Sequence, residues 1–165
     1  MMRGLVTSIL LCLVGLSMGI VENNQGGKVM ERQSSATRFI NPPELAAPRG
    51  YSHVAEVKGG RTIYIAGQVS LDKSGNIVGQ GNFRAQTSQV FENIKTALEA
   101  AGASFKDVVK LNYYLTDTSD IIAVREVRDK YVNTANPPAS TLVAIKRLVR
   151  EEFLIEAEAI AVVHE

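Results

Sequence analysis

The fold is decided by residues 90–115, VFENIKTALEAAGASFKDVVKLNYYL, where a helical repeat of apolar residues gives way to a denser apolar run. Phe91, Ile94 and Leu98 recur at the spacing of one helix face, and Gly102 marks the end of the helix. The following VVKLNYYL is rich in β-branched and aromatic residues, which is typical of a strand. The stretch therefore predicts a helix leading into a strand.

Similar patterns lie on both sides of this unit. Upstream, the runs YSHVAEV and TIYIAGQV flank Gly59 and Gly60 and predict a β-hairpin. Downstream, Ile121, Val124 and Val127 form the apolar stripe of a second helix, and the runs STLVAIKRL and LIEAEAIAVV predict two further strands. The order β-β-α-β-α-β-β predicts an α+β domain of two layers, with both helices on one face of the sheet.

The last strand suggests that this sheet is covered on both sides. Alternation along IEAEAIAVV, residues 155–163, places Glu156, Glu158 and Ile160 on the face opposite the alanines. Both faces thus carry apolar residues, although the helices cover only one of them. Because identical sheets can cover each other in an oligomer, the pattern predicts a homo-oligomer.

The composition of the 165-residue chain argues against several classes of function. Hydrophobic residues make up 45% and charged residues 21%, and the formal net charge is +1, so the chain lacks the basic surface expected for nucleic-acid binding. It contains no glycine-rich phosphate-binding motif and no nucleophile elbow. The two histidines, His53 and His164, do not have the spacing of a metal cluster. We therefore predict no metal, no cofactor and no nucleic-acid partner.

The N terminus has the layout of a signal peptide. Residues 1–19 combine an early arginine, an apolar run and small residues at their end, and we predict that they are removed on export to the periplasm or the medium. Residues 20–37 are predicted to be a flexible leader, and residues 38–165 the folded domain, without stable membrane insertion after cleavage. An uncleaved membrane anchor is the alternative. The intact mass of the mature protein distinguishes the two. The only cysteine, Cys12, lies in the predicted signal.

Four segments together resemble one known family. They are GYSHVAEVKGGRTIYIAGQVSLDKSGNIVG, QVFENIKTALEAAGASFKDVVKLNYYLTD, NPPASTLVAIKRL and IEAEAIAVV, and they span nearly all of residues 48–163. Through these segments the chain resembles the RidA (YjgF/YER057c/UK-type) family. The resemblance implies a chorismate-mutase-like α+β fold, assembled as a homotrimer whose sheets form a central barrel. Deaminase-type members hydrolyse enamines and imines to 2-keto acids and ammonia without a cofactor, in clefts between subunits.

The resemblance also implies a set of site residues. In deaminase-type members, a glutamate on the last strand helps to position water, and it corresponds here to Glu156. A ring-bearing residue at the cleft mouth corresponds to Tyr51, and a glycine at a strand-end turn corresponds to Gly67. An arginine in a P-A-R-S stretch holds the substrate carboxylate in those relatives, but this chain has Ser140 at that position.

Ser140 puts the usual reaction in question. A hydroxyl is neutral and short, and the loss of a charge-assisted pair costs on the order of a few kcal/mol. On the predicted strand, Arg147 lies on the opposite face from Ser140, and Lys146 lies about 20 Å away. Arg49, in the loop beside Tyr51, is the best candidate for a substitute cation that binds the substrate.

Three functions stay open. The first is a RidA-like protein that binds a small amino, imino or carbonyl metabolite in inter-subunit clefts, with the 2-iminobutanoate/2-iminopropanoate deaminase activity weakened or absent. The second is an active hydrolase for a different substrate, in which Glu156 positions water. The third is a non-catalytic interaction or chaperone-like protein.

Overall fold

The computed structural model describes residues 37–164. The predicted signal peptide lies outside these residues, as does the predicted leader apart from Thr37, so both stay predictions. No helix in residues 37–164 is long and apolar enough to cross a membrane.

The described chain folds into two helices and six strands. In chain order these are β1 (Thr37–Ile40), β2 (Val54–Val57), β3 (Arg61–Gln68), α1 (Phe83–Ala100), β4 (Val108–Leu115), α2 (Ile121–Arg128), β5 (Ala139–Ala144) and β6 (Ile155–Val163), with a short 3-10 turn at Phe105–Asp107.

Helix α1 is capped at its first turn and ends where the sequence predicts. The side-chain oxygen of Asn82 accepts a hydrogen bond from the Ala85 amide at 3.0 Å and so caps the first turn. Gly102, with a φ of +69°, turns the chain after the last helical residue.

A four-stranded sheet, in the order β3-β6-β4-β5, carries the helices. Strands β4 and β5 are parallel and joined through α2, which is the strand–helix–strand unit that the sequence predicts. Strand β6 pairs antiparallel with both β3 and β4. Apolar side chains of α1 and α2 pack on the face of β4 and β6 that holds Leu111, Tyr113 and Ala157. The predicted α+β class is therefore confirmed.

Two details differ from the prediction. The predicted hairpin is wrong, because β2 pairs with β1, a strand absent from the predicted order, in a separate two-stranded sheet. Strand β5 ends at Ala144, so strand alternation does not place Lys146 or Arg147 relative to Ser140. Arg147 instead lies in the following loop, 3.9 Å from the Glu151 carboxylate and largely exposed.

Candidate functional site

A cavity of about 360 Å³ lies between α2, the loop before β2 and the edge of the main sheet. Its volume falls within the range of about 300–1,000 Å³ common for small-molecule sites. The residues that line it are Ala47, Arg49, Tyr51, Tyr113, Ile121, Val124, Arg125, Arg128, Ser140 and Leu142.

The loop that carries Arg49 and Tyr51 is fixed to the start of β5. The Ser52 amide donates to the Pro138 carbonyl at 3.2 Å, and the buried Ser52 hydroxyl donates to the Pro137 carbonyl at 2.7 Å. Three of the predicted binding residues, Tyr51, Arg49 and Ser140, consequently line one cavity.

Ser140 lies on the helix-facing side of the sheet. It pairs in parallel register with Leu111, whose side chain is fully buried in the core. Neighbouring residues in register lie on the same face of a sheet, so the Ser140 hydroxyl lies on the inner face, at the cavity. It contributes a hydroxyl to the wall and no charge.

Arg128, which the sequence reasoning missed, is a buried cation of this cavity. Only 8% of the residue is exposed, and its Nε and Nη2 donate to Asp129 Oδ1 at 2.8 and 2.6 Å. It is the last residue of α2, where a positive charge also interacts favourably with the helix dipole. Gly50 packs so closely on the guanidinium that a methyl group there would overlap it.

A signal for this side chain is present in the sequence. Ile121, Val124, Arg125 and Arg128 are spaced i, i+3, i+4 and i+7, which is one face of a helix. All four line the cavity. The two arginines on this otherwise apolar helix face are therefore the sequence pattern that indicates this part of the cavity wall.

Tyr113 contributes an unpartnered hydroxyl to the same wall. The residue is 2% exposed, and its hydroxyl has no hydrogen-bond partner among the residues that the structure describes. Burial raises the pKa of this phenol far above its ordinary value of 10.0, while the nearby Arg128 charge opposes the rise. The hydroxyl therefore stays protonated at neutral pH and can donate a hydrogen bond.

Glu156 and Gly67 lie elsewhere. Glu156 pairs in register with Tyr114 on the outer face of the sheet, which is the face opposite Ser140. Gly67 lies against the Glu156 carboxylate, where a methyl group would overlap it. Within one chain, Glu156 therefore lies beside Gly67, and both are separated from the Ser140 cavity.

The outer face also holds a second carboxylate. Glu158 accepts hydrogen bonds from Asn112 Nδ2 at 2.7 Å and from the Tyr114 hydroxyl at 3.2 Å. The charge of Glu158 raises the pKa of Tyr114, because the phenolate would lie beside a carboxylate. Glu156 has no hydrogen-bond or ion-pair partner within residues 37–164, which leaves its oxygens free to accept from water.

His53 supports the loop that carries Arg49 and Tyr51. Its Nε2 lies 2.9 Å from the Ala46 carbonyl, and its ring packs edge-on against Tyr51, with the ring centroids 5.3 Å apart. It positions the cavity wall without lining the cavity.

Comparison with known proteins identifies the family. The family model described as endoribonuclease L-PSP matches residues 42–163. The chain belongs to the RidA (YjgF/RutC) family. A RutC family protein of Pyrococcus horikoshii is 43% identical over 122 residues, which are 73% of this chain and 91% of that protein. The resemblance read from the sequence is confirmed.

A RidA relative with a stated activity and a solved structure also match this chain. A 2-iminobutanoate/2-iminopropanoate deaminase of Dermatophagoides farinae is 32% identical over 130 residues, covering 78% of this chain and 98% of the relative. A crystal structure of a Rid family protein of unknown function from Yersinia pestis superposes with a TM-score of 0.69 at 35% identity. That match covers 77% of this chain and 98% of the solved chain. The fold is thus that of the RidA family.

Proposed function

We propose that this RidA family member binds a small amino, imino or carbonyl metabolite and hydrolyses 2-iminopropanoate only weakly. The observation that carries the proposal is Ser140, a neutral side chain on the cavity wall in place of a carboxylate-binding arginine. A bidentate guanidinium orients a substrate as well as binding it, so its loss lowers the rate of the reaction.

The proposed catalytic site is shared between subunits. Glu156 and Ser140 lie on opposite faces of one sheet, so they can act on the same ligand only when two chains each contribute one of them. A homotrimer with the outer sheet faces turned inward would supply Glu156 from one chain and the Ser140 cavity from another.

The first test compares turnover with that of a relative. The purified protein and the Dermatophagoides deaminase are assayed for 2-iminopropanoate hydrolysis under the same conditions. We expect kcat/KM of this protein to be at least about tenfold lower, which corresponds to ~1.4 kcal/mol of transition-state stabilisation. Equal values would contradict the proposal.

A second candidate function is hydrolysis of a different imine. It is favoured by the Glu156 carboxylate, which lies against Gly67 and has no protein partner within residues 37–164. In a panel of imines, Glu156→Gln should abolish any turnover, while Glu151→Gln, at an exposed loop position, should not change it. Turnover that survives Glu156→Gln rules out this role.

A further inference from the structure

The cavity beside Ser140 carries an excess of positive charge. Arg49, Arg125 and Arg128 line it, and only Arg128 has an acidic partner, Asp129, among residues 37–164. Asp129 itself is not part of the wall. Three guanidinium groups against one carboxylate attract an anion, and the low-dielectric walls strengthen that attraction.

One of the three arginines is buried, and the other two are exposed. Arg128 is less than a tenth exposed, whereas Arg49 and Arg125 are exposed at the cavity mouth. Both donors of Arg128 that are engaged point to one oxygen of Asp129, and its Nη1 has no partner in residues 37–164. A guanidinium carries five N–H donors, so Arg128 retains donors for a second acceptor.

The Tyr113 hydroxyl is a second, independent indication that this cavity binds a ligand. It is buried, unpartnered and part of the cavity wall. A buried hydroxyl without a hydrogen-bond partner is destabilising, so buried hydroxyl groups in proteins are nearly all paired. An acceptor in the cavity would satisfy Tyr113 and the free donors of Arg128 together.

We propose that Arg128 and Tyr113 form the anchor of an anion site in this cavity, which takes the carboxylate of a small organic acid. The exposed Arg49 and Arg125 at the mouth favour a ligand with a second negative group, so a dicarboxylate binds more tightly than a monocarboxylate of similar size. The inference deepens the small-molecule binding proposed above and does not require hydrolysis.

The test measures binding at equilibrium. Succinate, butanoate and the neutral succinamide are titrated into the purified protein by calorimetry. We expect succinate to bind more tightly than butanoate, and succinamide not to bind. No saturable heat with succinate at millimolar concentration, or equal binding of succinamide, would overturn the proposal.

The variants are matched in pairs. Tyr113→Phe removes only the unpartnered hydroxyl, and Tyr114→Phe makes the same change on the opposite face of the sheet. Arg125→Gln removes a charge at the mouth, and Arg147→Gln removes one from a loop outside the cavity. Because a hydrogen bond to a charged group is involved, Tyr113→Phe should weaken succinate binding by about tenfold or more. Arg125→Gln should reduce the preference for succinate over butanoate, and both controls should bind as the wild type does.

A purely structural role of Tyr113 would give a different pattern. Without ligand, Tyr113→Phe should be at least as stable as the wild type, because it deletes a hydroxyl that has no partner. Unchanged succinate affinity in Tyr113→Phe, or an affinity loss equal to that of Tyr114→Phe, would overturn the assignment. Either result leaves the imine turnover comparison unaffected, so the two proposals fail separately.

Discussion

Gly50 is the residue on which the position of the Arg128 guanidinium depends. Its φ of +79° lies in the left-handed region, and its lack of a side chain leaves room for Arg128. Any other L-residue there adds backbone strain and pushes the guanidinium away. The loop residues on either side, Arg49 and Tyr51, line the cavity, so one glycine couples backbone shape to the charge in the site.

Gly50→Ala separates these two effects when it is compared with Gly75→Ala. Gly75 has a φ of +81° and no atom within 4 Å of the added methyl group. Each variant should lose about 1–2 kcal/mol of stability from left-handed strain. Only Gly50→Ala should also weaken succinate binding, because only there does the methyl group displace Arg128. Equal succinate affinity in the two variants, measured by calorimetry beside urea unfolding, would contradict this coupling.

Among the elements, α1 is tied to the segment after α2 by Tyr131. Its hydroxyl donates to Glu92 Oε1 at 2.6 Å, and its ring lies 5.1 Å, centroid to centroid, from both Phe91 and Phe105. Burial, followed by the hydrogen bond and charge of Glu92, raises the pKa of Tyr131 from 10.0 to about 12. Because the folded pKa is the higher one, the hydroxyl stabilises the fold fully below pH 10.0 and loses its effect as the pH rises towards 12.

Alkaline absorbance titration tests this link. The difference between the wild type and Tyr131→Phe should show one phenol with a midpoint of about 12. Glu92→Gln should lower that midpoint only part of the way to 10.0, because burial is the larger cause of the shift. A wild-type midpoint at 10.0 would show that neither cause operates in solution.

At the scale of the whole molecule, the uncovered face of the main sheet requires explanation. Tyr64, Asn112, Glu158 and Ile160 lie on this outer face, and Tyr64 is 77% exposed. The helices cover only the other face. Association through this face is the simplest way to cover it, in agreement with the predicted homotrimer.

Light scattering after size exclusion tests the assembly. The wild type should have three times the mass of one chain. Tyr64→Glu places a charge in the proposed interface and should shift the protein towards monomer. Ile122→Glu, at a 61% exposed position on α2, should leave the mass unchanged. A trimer that persists in Tyr64→Glu would place the interface elsewhere.

Local patterns along the sequence were enough to predict several features of this protein. The spacing of Phe91, Ile94 and Leu98, with Gly102 after them, predicted α1, because helix periodicity and chain reversal are properties of neighbouring residues. The alternation of β6 likewise predicted that Glu156, Glu158 and Ile160 share the face opposite the alanines. The family followed from four segments, and the loss of the arginine at Ser140 followed from the same comparison.

The tertiary structure alone decided which side chains meet. That β2 pairs with β1, that Ser140 and Glu156 lie on opposite faces, and that Arg128 lies beside Tyr113 all depend on strand register and helix packing. These contacts join residues distant in the chain, and their free energies come from burial and from long-range pairing that no local spacing records. That Arg128 shares a cavity with Ser140 is therefore decided only when α2 packs against the sheet.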